Sequence, residues 1–173
     1  GKEHLLNTLN YVYFLGFLSL GVTFVIATGG IDFSIGPVMF CCALVAGYCL
    51  NSYGFPLVIC IVLAVIIGLI FGAFNGWLVA YQSVPAFIVS MASMNIAKGI
   101  AAVFTKTQSQ SWPLSTDPVN GWFRNLISYK GFPVGLVVFL LVAALCSCIL
   151  YNTKAGRYIL CLGSNREAVR LSG

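Results

Sequence analysis

PLVICIVLAVIIGLIFGAFNGWLVAY, Pro56–Tyr81, decides the fold class. It carries no charged side chain and one amide, Asn75. A helix rises about 1.5 Å per residue, so this run is long enough to cross the ~30 Å hydrocarbon layer of a bilayer. Gly68, Gly72 and Gly76 form a row of small residues along it. Such a row lets helices approach to backbone contact, and packing within one subunit is the expected use.

The rest of the chain repeats the pattern. Apolar runs occupy roughly 11–28, 36–50, 56–81, 84–104 and 132–151. The expected fold is therefore an all-α, polytopic helical bundle with about five spans. The second run is short for a span, and the segment before it, Gly29-Gly30-Ile31-Asp32-Phe33-Ser34-Ile35-Gly36, is glycine-rich. That combination suggests a discontinuous or re-entrant element. Thr105–Gly131 is polar, contains Pro113, Pro118, Asn120 and Gly121, and reads as loop with room for a short helix.

Composition agrees. Of 173 residues 60% are hydrophobic and 8% charged, with a mean hydropathy of +0.96. Soluble domains carry about 25% charged residues. The net charge of +5 comes from few residues placed in loops. Nucleic-acid binding wants a basic face with many phosphate contacts, so no nucleic-acid partner is expected; membrane lipid is. Seven cysteines, an odd number and mostly within apolar runs, read as small space-fillers rather than a disulfide framework. His4, the one histidine, cannot build a histidine metal site. A phosphate-binding G-x-x-x-x-G-K-[ST] sequence is absent, so ATP hydrolysis by this chain is not expected.

Charge sets the orientation. The terminal stretch TKAGRYILCLGSNREAVRLSG, Thr153–Gly173, carries Lys154, Arg157, Arg166 and Arg170 against one acid, Glu167. By the positive-inside rule 152–173 is cytoplasmic. Alternation then puts Thr105–Gly131 outside, Gln82-Ser83 inside and the beginning of the chain outside. A span upstream of the present sequence is the expectation that follows. Within the stretch, Ser164-Asn165-Arg166-Glu167 fits the S-x-x-E capping box, which predicts a helix of eight residues ending at Gly173. Ala168 and Leu171 share one face, and Arg166 and Arg170 stand at i, i+4. A helix so short is marginal alone and makes sense docked to a partner; a capped turn on the membrane surface is the plainer reading.

Four positions in or beside the apolar runs are candidates for a solute pathway: Asp32, Asn75, Phe87 and Ser90. A carboxylate near bilayer depth is costly unless hydrated or paired. Asp32 or Ser34 could equally cap a helix beginning near Gly36-Pro37, and a broken helix lining a cavity would use both roles. Asn75 suits an interhelical hydrogen bond or a solute path. Phe87, Ser90 and Met94 share a face of the fourth run, a packing stripe or a lining. Lys98, towards the outer end of that run, reads as a snorkelling side chain.

Taken together and in order, Gly21–Ile26 running into GGIDFSIG, then GAFNGWLVA, PAFIVSMASMNIAKGIA and TKAGRYILCLGSNREAVRLSG resemble the ribose/xylose/galactose-type permease subunits of bacterial ABC importers. The resemblance implies a multi-pass subunit of the bacterial plasma (inner) membrane with about ten spans, each of ~20 residues; the present chain is then a fragment holding the second to sixth. It implies an ABC ATPase subunit carrying ATP and Mg, no cofactor on this chain, a second permease subunit, identical or different, and a solute-binding protein that delivers a monosaccharide. Glu167-Ala168-Val169-x-x-x-Gly173 is similar to the permease coupling motif, with Val169 replacing its second alanine. Ser164, Asn165, Glu167, Ala168, Arg170 and Gly173 are the implied ATPase-coupling residues. Branched-chain amino acid permeases share the implied architecture and are the nearest alternative; a non-ABC channel or structural membrane protein would lack the docking loop.

Overall fold

The computed structural model describes residues 2–125, 132–164 and Val169. Among the described residues there are seven helices and no β-strand: α1 (Lys2–Ala27), α2 (Ile35–Tyr53), α3 (Leu57–Tyr81), α4 (Ala86–Thr105), α5 (Trp122–Asn125), α6 (Val134–Asn152) and α7 (Lys154–Ser164). Four of them, α2, α3, α4 and α6, are long and apolar enough to cross a membrane; the apolar part of α1, Tyr11–Ala27, is shorter. The chain divides into two compact units, one made of residues 31–112 and one of 1–30 with 113–173.

In the first of these, α2 lies against both α3 and α4. Its inward residues are small: Cys41, Val45 and Ala46 pack with Cys60, Ala97 and Ala101. On α4 the buried positions Ser90, Ser93, Ala97, Ala101 and Thr105 recur every three or four residues, which is one helix face. Small side chains on both partners permit close approach, and Cys41 and Cys60 are fully buried, as space-fillers should be. Thr105 returns its hydroxyl to the Ala101 carbonyl at 2.8 Å, so the buried oxygen is not orphaned.

The second element is longer than its apolar run suggests. α2 has 19 residues and continues through Asn51-Ser52-Tyr53, beyond the end of the apolar run at residue 50. The reason lies far away in sequence. Asn51 Nδ2 donates to Gln110 Oε1 (3.1 Å) and to the Ser111 carbonyl (3.0 Å), anchoring the last turn. The helix stops at Gly54, whose φ of +65° suits a left-handed C-terminal cap. The glycines of the α3 row differ in their surroundings. A Cβ on Gly68 would meet Cys42 Sγ at 3.8 Å, whereas Gly72 and Gly76 face open space among the described residues.

In the second unit α1 and α6 run side by side in the same direction. Tyr13 lies on Gly135, Phe17 meets Phe139 edge to face with centroids 5.5 Å apart, and Leu20, Thr23 and Phe24 stand opposite Ala143, Cys146 and Leu150 around a cavity of about 150 Å³. In the polar stretch before α6, Asp117 Oδ1 accepts the Val119 and Asn120 N–H groups at 2.9 Å each, and Arg124 Nε donates to the Pro113 carbonyl at 2.9 Å. These two backbone donors hold the Asp117 carboxyl below the usual carboxylate range.

Candidate functional site

The segment between α1 and α2 places Asp32. Asp32 Oδ1 accepts two hydrogen bonds from Ser34, one from its N–H and one from its hydroxyl, both at 2.6 Å. Ser34 is the N-cap residue of α2 by position, yet its side chain makes no capping bond into the helix. Its Oγ instead accepts from Asn75 Nδ2 on α3 at 3.1 Å. Asn75 Oδ1 accepts in turn from the hydroxyl of Ser93 on α4. One turn earlier on α4, Ser90 donates to the Phe87 carbonyl (3.0 Å), and its oxygen stands 3.5 Å from the Ile31 carbonyl.

The result is a continuous polar chain, Asp32–Ser34–Asn75–Ser93, that ties the start of α2 to α3 and α4. Ser34, Ser90 and Ser93 are 2%, 2% and 1% exposed, so their hydroxyls depend on these partners. Asp32 and Asn75 are half-buried. Of the four candidate pathway residues, Asp32 and Asn75 share this chain, Ser90 lies beside it, and Phe87 joins through its backbone while its ring is exposed. Two members were not singled out as site residues from sequence: Ser34, considered only as a cap, and Ser93. The available signal for Ser93 was its i, i+3 spacing from Ser90.

The residues that the resemblance implies for ATPase coupling divide differently. Asn165, Glu167, Ala168, Arg170 and Gly173 lie outside the described residues. Ser164 is described, and it is the last described residue of α7; the rest of the expected capping box lies outside the described residues. The cap sits eleven residues earlier. Thr153 is extended, accepts the Gly156 N–H on its Oγ1 at 3.1 Å and donates its hydroxyl to the Ile149 carbonyl at 2.5 Å. One side chain thereby closes α6 and opens α7. Lys154, Arg157, Cys161 and Ser164 are exposed at helical spacing, and Gly156 and Gly163 lie on the opposite side.

Residues 4–173 match a family described as branched-chain amino acid transport system / permease component. The chain belongs to this family. It is 31% identical to the ribose import permease protein RbsC of Haemophilus influenzae over 99% of this chain and 53% of that protein. It is 27% identical to the xylose transport system permease protein XylH of Escherichia coli (96% and 57%) and 29% identical to the fructose import permease protein FrcC of Rhizobium meliloti (95% and 47%). The chain thus spans about half the length of the curated relatives it matches. No solved structure matches it. Family membership and the apolar helices together make this a multi-pass membrane protein of the permease class.

Proposed function

We propose that the chain is part of the membrane-spanning subunit of an ATP-driven importer that carries a monosaccharide across the bacterial inner membrane. The observation that carries this reading is the match along nearly the whole chain to relatives named for the import of ribose, xylose and fructose. Those names favour a sugar over a branched-chain amino acid. The polar chain suits the same reading: its hydroxyl and amide groups are the kind that exchange hydrogen bonds with a polyol at little cost.

In this reading the five apolar helices all span. α1 and α6 then run the same way, as three intervening passes require, and their shared end is cytoplasmic. Asp32, Asn75, Phe87 and Ser90 lie on or beside the solute path. ATP and Mg are bound by a separate ATPase subunit. Its closure pushes the residues around Glu167, and the spans rock to alternate access. A second permease subunit completes the path, and a solute-binding protein delivers the sugar.

The experiment is reconstitution of the full-length subunit with its ATPase in liposomes. Ribose-, xylose- and fructose-loaded binding proteins are tested for stimulation of ATP hydrolysis and for uptake. Stimulation with uptake of one of them supports the proposal. Solute flux without ATP, or uptake of a branched-chain amino acid in place of any sugar, overturns it.

A further inference from the structure

α7 meets the rest of its unit at two glycines that share one helix face. A Cβ on Gly156 would come within 2.1 Å of the Leu150 carbonyl oxygen and 2.3 Å of that of Ile149, both in the last turns of α6. A Cβ on Gly163 would come within 2.2 Å of the Ala27 carbonyl oxygen at the end of α1, and 3.4 Å of the Gly29 nitrogen. All four obstacles are backbone atoms, so no side-chain rotation relieves them. Thr153 adds hydrogen bonds to both sides of the α6–α7 joint. The helix is therefore seated across the ends of α6 and α1 at backbone contact, with Lys154, Arg157 and Cys161 facing away.

We infer that Gly156 and Gly163 are positioning residues that clamp α7 to the ends of α6 and α1, so that the three move as one rigid body when the residues beyond Ser164 are pushed. The inference rests on the importer reading given above and names the element that receives the push. Backbone-to-backbone seating has no soft layer to absorb displacement, because packed interiors pass strain on rather than flow. Gly29, at the contact, is three residues along the chain from Asp32.

The test uses the full-length subunit assembled with its ATPase. Spin labels are placed at Cys161 and at Ile26→Cys, both exposed, in a variant stripped of its other cysteines. The distance between them is measured by double electron–electron resonance without nucleotide and with ATP trapped. The peak is expected at the same distance in both states, while a second pair, from Cys161 to the ATPase subunit, shifts and reports closure. A shift of the Cys161–Ile26 peak in a transporter that still imports overturns the clamp and leaves the importer reading standing. In parallel, Gly163→Ala is expected to lower binding-protein-stimulated uptake by about 5- to 150-fold, the span of ordinary coupling strengths, with basal ATP hydrolysis retained. Unchanged uptake in Gly163→Ala likewise overturns the inference. If the wild-type complex shows no ATP-driven uptake, the importer reading itself fails.

Discussion

Asn75→Leu tests the polar chain most directly. The substitution removes the Nδ2 donor to Ser34, 3.1 Å away, and the Oδ1 acceptor of Ser93. Ser34 and Ser93 are 2% and 1% exposed, so water does not replace the lost partners. Interhelical hydrogen bonds in membranes average about 0.6 kcal/mol and reach about 1.7 kcal/mol. Two of them give a loss of ~1 to ~3 kcal/mol. Ser93 can recover part of it by turning its hydroxyl to a carbonyl one turn back on α4, which favours the lower half of the range. Asn75→Asp is expected to cost more than Asn75→Leu, though it keeps an acceptor for Ser93. The new carboxylate would face Ser34 Oγ, whose proton is already committed to Asp32, and a carboxylate in a span is itself expensive. The assay is equilibrium unfolding of the full-length subunit in bicelles, with a double-mutant cycle between Asn75→Leu and Ser93→Ala. A coupling energy of about 0.6–1.7 kcal/mol is expected. A coupling energy below ~0.3 kcal/mol, the range in which unconnected sites add, would refute the chain of contacts.

Three further outcomes are expected. If the proposed coupling role holds, Glu167→Lys, a charge reversal, should abolish binding-protein-stimulated ATP hydrolysis in reconstituted transporter while assembly with the ATPase, read by co-purification, persists. Because the Asp117 carboxyl is held below the usual range, its contribution to the order of the 117–120 turn is complete above the unfolded carboxylate value of about 3.9 and is lost as pH falls through the lower folded value. Amide exchange at Val119 and Asn120 should be flat from neutral pH to about 5, after correction for intrinsic rates, and Asp117→Ala should accelerate it at neutral pH. Gly47→Ala places a Cβ 2.9 Å from Gln110 Cβ on the face where α2 carries the residues after α4, and overpacking of this kind costs about 1–3 kcal/mol; the unfolding midpoint should fall accordingly, and an unchanged midpoint would show that the 110–112 segment yields freely.

The helices were readable because hydropathy is a local property: each apolar run predicts its own helix without knowledge of its neighbours. The errors came where distant residues decide. Asn51 lies just past the second apolar run, and its bonds to Gln110 and Ser111 hold it in the last turn of α2. Asp32 was recognisable as out of place, but Ser93 could not be assigned to it, since nothing in a single chain states that α4 presents that residue to α3. Ser164 offered a capping box by spacing alone. Thr153, with no acid three residues on, was passed over although it holds the joint. Glycine rows were read by motif, yet Gly72 and Gly76 face nothing described while Gly156 and Gly163, seven apart and in no named motif, meet backbone.

The pairing of α1 with α6 also bears on how the chain is made. Residues 31–112 are contiguous, so α2, α3 and α4 can associate as soon as α4 leaves the ribosome. α1 is synthesised before all of them and its contacts, Tyr13 with Gly135 and Phe17 with Phe139, are separated by more than a hundred residues. At about 5–20 residues per second, α1 waits on the order of ten seconds in the bilayer or at the insertion machinery without its neighbour. During that interval its α6-facing side is unpaired and open to mis-insertion and to quality-control proteolysis. Substitutions on its α6-facing side are therefore expected to lower cellular yield before they alter the activity of the molecules that survive.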